Sequence, residues 1–206
     1  RSVLAAGLVA IWMAHRRSDL SLRRASLGPM LAIGLLFALE FICLYQGLGK
    51  TTASRGTLLL YTAPFVVALG GHLLLDDRLD RRQWLGLLMA FSGLAVMMAS
   101  RPTAMGSSAI PIPQIAPTLA GDLLCLAGGV FWGATTLVIR ATSLRTESPD
   151  RCLLYQLVLS APILIGLSWL LGPERGEFGI GTLTPMVIGA LAYQVAVIAG
   201  FSYLAW

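Results

Sequence analysis

The sequence predicts an all-α protein that crosses a membrane several times, and three observations predict it. Hydrophobic residues make up 56% of the chain and charged residues 12%, about half the roughly 25% charge of a globular domain. The run Gly56–Leu75 holds twenty residues without a formal charge. A helix rises about 1.5 Å per residue, so such a run covers roughly 30 Å, the hydrocarbon thickness of a bilayer. The charges gather between the apolar runs, as in Asp76-Asp77-Arg78-Leu79-Asp80-Arg81-Arg82, with six charges in seven positions. A soluble helical protein needs polar faces at helical spacing, and most of these runs have none.

Seven apolar segments follow one another. The first, Ser2–Ala14, is short for a span and ends at His15-Arg16-Arg17. The second runs from Leu27 to about Leu48 and carries one charge, Glu40. The third, Gly56–Leu75, and the fourth, Trp84–Ser100, form a hairpin around the charged turn. Pro102, Pro111, Pro113 and Pro117 then mark a linker over 102–118, because proline removes backbone donors and stops helices. The fifth is Ala120–Ile139, the sixth Cys152–Leu171 and the seventh Leu183–Trp206. The expected organisation is a first repeat over 1–101 and a second over 119–206. The chain starts and stops inside apolar runs, so we expect an excerpt of a longer protein.

Successive spans alternate sides, which lets loop charge be summed by side. The loops His15–Ala25, Asp76–Gln83 and Arg140–Arg151 hold ten arginines, and the other side has five basic residues. Basic loops stay in the cytoplasm, so the net charge of +5 reads as a topology signal and implies no nucleic acid. The halves also echo each other. Pro29-Met30 with Gly34 opens the second segment, and Pro185-Met186 with Gly189 opens the seventh. The charge count puts Pro29 at a cytoplasmic end and Pro185 at an external one. Repeats of opposite orientation are common in secondary transporters. The expected fold is therefore an inverted-repeat helical bundle. Cys43, Cys125 and Cys152 show no metal-ligand spacing and read as packing thiols.

The hairpin carries a family signature. Leu59-Leu60-Tyr61-Thr62-Ala63-Pro64, Leu75-Asp76-Asp77-Arg78-Leu79, Gln83-Trp84-Leu85-Gly86 and Phe91-Ser92-Gly93-Leu94 resemble the EamA-type permeases of the drug/metabolite transporter superfamily. Ala120-Gly121-Asp122-Leu123-Leu124 and Phe131-Trp132-Gly133 look like the start of that family's second repeat. The resemblance implies ten helices in two inverted five-helix units, of which this chain holds seven and lacks the first and the last two. It also implies export of metabolites, amino-acid derivatives or drugs. One departure is Asp76-Asp77, where the family usually has glutamate; a carboxylate is retained.

Candidate substrate or proton-coupling residues are those whose polarity is costly in a span. Glu40 leads, since a charge at the centre of a membrane helix costs about 2.5–3.5 kcal/mol on insertion scales. It reads as a proton-coupling carboxylate or as a paired acid bridging two helices. Arg55 stands at the external end of the third segment, where it pairs with Glu40, attracts an anionic substrate group or snorkels to the interface. Pro64 sits mid-span and frees a backbone carbonyl to face a cavity or serve a hinge. Tyr61, Trp132, Tyr193 and Gln194, with Tyr45, fall inside spans as route-lining or packing residues. His72 reads as a packing histidine. Gly129 with Gly133, and Gly86 with Ala90, have the spacing that lets helix backbones approach closely.

Enzyme signatures are lacking: no nucleophile elbow, no phosphate loop, no metal-ligand spacing. No cofactor and no metal are expected. The expected partners are a small-molecule substrate, the lipid bilayer and a homodimer. The function expected is secondary transport by alternating access, proton-coupled and outward, in the inner membrane of a bacterium. The alternative is a seven-helix membrane receptor or sensor.

Overall fold

In the computed structural model the described residues are 27–99 and 116–171, together with positions 7, 188–189 and 193. The first apolar segment, most of the proline-rich linker and most of the seventh segment lie outside them. Among the described residues the regular structure is helical, with no strand: α1 Leu27–Leu48, α2 Ala53–Leu60, α3 Ala63–Leu74, α4 Arg81–Ala99, α5 Leu119–Ala141 and α6 Pro149–Leu171, with a 3₁₀ turn at Ser143–Thr146. Four stretches among the described residues are long and apolar enough to cross a membrane: Leu27–Leu48, Ala53–Leu74, Leu119–Ala141 and Pro149–Leu167.

The helices begin earlier than the apolar runs do. α4 starts at Arg81 and α6 at Pro149, each three residues ahead of the run, because apolarity marks lipid contact while hydrogen bonding sets the helix end. At α4 the Gln83 side-chain oxygen accepts the Asp80 N–H at 2.8 Å, and Trp84 N–H donates to the Asp80 carbonyl at 3.0 Å. The first of these is one half of a capping box, and the second is the first backbone bond of the helix. At α6, Pro149 occupies the first turn, where its missing N–H is not needed, and the Ser148 carbonyl accepts from Arg151 and Cys152.

The third segment is two helices. Tyr61 and Thr62 interrupt it, with Thr62 N–H bonded to Leu59 O at 3.1 Å and the Thr62 hydroxyl donating to the same carbonyl at 2.7 Å. Pro64 has no N–H for the Leu60 carbonyl four residues back, so the helix must restart, and it does so at Ala63. The hairpin turn then closes on itself. Asp76 is left-handed, φ 53°, while Leu75 and Asp77 N–H both donate to Gly71 O at 3.1 Å. A left-handed residue just past a helix is a common stop, and aspartate tolerates it better than most. His72 is structural, as expected. Its Nδ1 accepts from Leu79 N–H at 3.2 Å and its ring stands edge-on to Trp84 at 5.8 Å.

The chain forms two compact units, Leu39–Leu137 and Arg1–Ala38 with Val138–Trp206. They are defined by packing and cut through α1 and α5, so they do not coincide with the sequential halves 1–101 and 119–206. In the second of these units Met30, Ile33, Leu144 and Cys152 are buried together, with Val138, Ile139 and Tyr155 against them. A Cβ at Gly34 would lie 2.6 Å from Leu159 Cβ, so α1 approaches α6 at glycine distance. Arg151 and Glu147 form an ion pair one helical turn apart.

Large apolar side chains cover the outside. Leu31, Leu35, Leu73, Leu85, Leu88, Met89 and Trp169 are exposed, along with many others. Water would not tolerate apolar surface on that scale, whereas acyl chains match it. The chain is an all-α polytopic membrane protein.

Candidate functional site

The unit Leu39–Leu137 is built around the glycines of α5. A Cβ at Gly121 would meet the Lys50 carbonyl carbon and oxygen at 2.6 Å, and one at Gly128 would lie 3.4 Å from Glu40 O. At Gly129 it would meet the Thr62 hydroxyl at 2.6 Å and Leu60 O at 2.8 Å, and at Gly133 Val66 Cβ at 2.6 Å. At Gly121, Gly129 and Gly133 only glycine leaves room, whereas the approach at Gly128 is ordinary contact; a Cβ at Gly47 would lie 3.0 Å from Gly121 O, so α5 lies backbone-close to α1 and to the broken α2–α3 pair. The Gly129–Gly133 spacing therefore has the use expected of it. Gly86 does not: a Cβ there meets nothing within 4 Å, so the Gly86–Ala90 face of α4 brings no backbone close among the described residues.

Six of the candidate residues fall in this unit: Glu40, Tyr45, Arg55, Tyr61, Pro64 and Trp132. Glu40 is buried, 6% exposed, on an apolar helix flanked by the buried Phe37, Ala38 and Phe41. Pro64 opens α3, and the Leu60 carbonyl it cannot serve lies against Gly129 of α5. Tyr61 and Trp132 are both exposed and face each other, ring centroids 6.3 Å apart and tilted by 49°. Tyr45 packs on Phe41 at 5.7 Å. Tyr193 is helical and exposed and belongs to the other unit; Gln194 lies outside the described residues.

Arg55 is where the structure adds most. Its Nη2 lies 2.6 Å from Asp122 Oδ2, and its Nε lies 3.2 Å and 3.3 Å from the two carboxylate oxygens. Asp122 also accepts the Thr51 hydroxyl at 2.6 Å, and Thr51 is buried. The turn before α2 is fixed to the start of α5. Thr118 N–H and its hydroxyl both donate to Lys50 O, at 2.9 Å and 2.7 Å. Neither Asp122 nor Thr51 stood among the candidates. The available signal was that Asp122 is an acid inside an apolar run, as Glu40 is, and that Arg55 is a base at the edge of another.

Comparison with known proteins places this multi-pass helical chain among membrane transporters. Residues 1–99 match the EamA-like transporter family, the family that the hairpin residues resemble. The chain is similar to the riboflavin transporter of Rhizobium johnstonii, 24% identical over 81% of this chain and 49% of the relative. It is similar to the pseudopaline exporter CntI of Pseudomonas aeruginosa, 24% identical over 80% and 54%. An uncharacterized P. aeruginosa protein, PA1977, is 31% identical over 75% and 46%. The chain thus spans about half the length of the curated relatives it matches. No solved structure matches it.

Proposed function

We propose that this chain belongs to a secondary transporter that moves small metabolites, amino-acid derivatives or drugs outward across the inner membrane of a bacterium. Transport proceeds by alternating access between two repeats of opposite orientation, with Glu40 gaining and losing a proton as the cavity changes sides. The observation that carries this reading is Glu40 itself, an acid 6% exposed in a span of 22 residues. An ionisable group kept at that depth faces a bundle interior and marks a proton or substrate path. Tyr61 and Trp132 line the route, and the break before Pro64 lets the span flex. The names of the relatives, a riboflavin transporter and a pseudopaline exporter, support the transporter class; the receptor or sensor alternative has no such support.

The test is Glu40→Gln in the full-length protein, reconstituted in vesicles. The amide keeps the volume and removes the titration, so flux driven by an imposed proton gradient is lost while exchange at equal pH persists. Gradient-driven flux equal to wild type removes Glu40 from the mechanism.

A further inference from the structure

Three side chains able to hydrogen-bond share one stripe of α6. Cys152, Gln156 and Ser160 stand four residues apart, which places them one above another on a helix face, and all three are buried. The outer two have backbone partners. The Cys152 thiol reaches Leu144 O at 4.0 Å, and the Ser160 hydroxyl donates to Leu157 O at 3.2 Å. Gln156, between them, is 9% exposed and makes no hydrogen bond to any of the described residues.

The stripe lies on the side of α6 that meets α1. Cys152 is buried with Met30 and Ile33. Leu159, three residues past Gln156, has its Cβ 2.6 Å from where a Gly34 Cβ would stand. Gln156 is thus bracketed by two contacts along the seam between the helices. A carboxamide brings two donors and an acceptor out of water, and at this site it regains none of them among the described residues. Leucine or methionine would fill the same volume without that loss. A side chain that works against the fold in this way is one whose partner arrives from elsewhere.

The chemistry of the amide says which partner fits. Its edge presents an acceptor, Oε1, beside a donor, Nε2. A carboxylate has acceptors only and satisfies half of that edge. A second primary amide offers a donor and an acceptor together and closes two hydrogen bonds. The helix is also weakest just beyond this point. Pro162 lies inside α6 and has no N–H for the Val158 carbonyl, and a serine hydroxyl bonded back onto its own helix, as at Ser160, favours a bend. Bending there shifts the Gln156 turn against α1 and opens the seam at the amide.

We propose that Gln156 binds the transported solute through a neutral amide edge, and that bending of α6 over Ser160–Pro162 admits it. This rests on the transporter reading above and names its substrate class, small solutes that carry a primary amide.

The experiment uses the full-length protein, with thermal unfolding in detergent and uptake into proteoliposomes as its readouts. Glutamine and asparagine are the probes; glutamate and aspartate, the matching acids, are the controls. Gln156→Leu raises the unliganded midpoint by about 2–4 °C, because an unpaired amide gives way to an apolar group of its own size. It removes the rise in midpoint that the two amides give wild type, lowers their uptake by about tenfold or more, and leaves the acids unchanged. Gln156→Asn, which keeps the amide one methylene short, retains part of the uptake. Gln156→Met repeats the leucine result and replaces it if the branched chain overpacks the seam. A lowered midpoint in both the leucine and methionine variants makes Gln156 a structural tie and overturns the proposal. Equal changes for amides and acids, or no response of wild type to either amide, overturn it as well. Uptake of any solute that none of the three variants alters keeps the transporter and sinks the amide site; midpoint shifts that require Gln156, without flux of any solute, do the reverse.

Discussion

At the scale of single residues, glycines decide what this chain packs against. Gly121 has the Lys50 backbone 2.6 Å from where its Cβ would stand, and a backbone carbonyl cannot swing away; Gly86 has open space. Alanine at the two sites should therefore act with opposite sign. Gly121→Ala overpacks the start of α5 and costs about 1–3 kcal/mol. Gly86→Ala relieves a helix of a poor former and gains up to about 1 kcal/mol. Thermal unfolding of the full-length protein in detergent reads both, and a shift in the same direction for the two contradicts the account. Spacing in the sequence pointed to both pairs of small residues, Gly129–Gly133 and Gly86–Ala90. It shows which faces permit a close approach and does not say which neighbour arrives. The same limit hid Arg55 and Asp122. They are 67 positions apart, so no local pattern joins them, although Asp122 is a charge inside an apolar run and Arg55 one at the edge of another. Glu40 was legible because a lone acid in a long apolar run needs no partner to be noticed.

At the scale of elements, the sequence located the helices and misplaced their ends. Apolar runs follow the membrane, whereas α4 and α6 begin in polar residues that their own caps select, Asp80 with Gln83 and Ser148 with Pro149. The interruption of the third segment was legible in part. Pro64 requires a missing bond in the turn before it, but the use of the Thr62 hydroxyl on Leu59 O depends on the fold. The turn between α3 and α4 offers a direct check. Asp76 holds a positive φ, which a β-branched side chain resists. Asp76→Val should cost about 1–2 kcal/mol, and Asp76→Gly should cost nothing or stabilise slightly. Denaturation of the purified protein in mixed micelles distinguishes them; equal stability of the two variants would show that the turn is not held at that angle.

At the scale of the whole molecule, composition alone was enough to give the class, because a chain with 56% hydrophobic residues has nowhere but a bilayer to put them. The packing units were not legible. Leu39–Leu137 forms one compact unit by joining the N-terminal part of α5 to helices that precede the linker, a grouping by packing that is separate from the division into repeats. Topology can be tested independently of that packing. Loops with an excess of arginine remain cytoplasmic, so a phosphatase or fluorescent reporter fused after Arg82 is expected to report the cytoplasm. An external reading would reverse the orientation of every span.

The close seating of α5 against α1, α2 and α3 also sets an order of synthesis. Lys50, Leu60 and Val66 are made long before Gly121, Gly129 and Gly133, the positions that will receive them. Until the ribosome has delivered residue 133, the earlier spans sit in the bilayer with their partner surface filled by lipid. Completing this unit means expelling those acyl chains, so the late arrival of one glycine-lined helix times the maturation of the helices made before it.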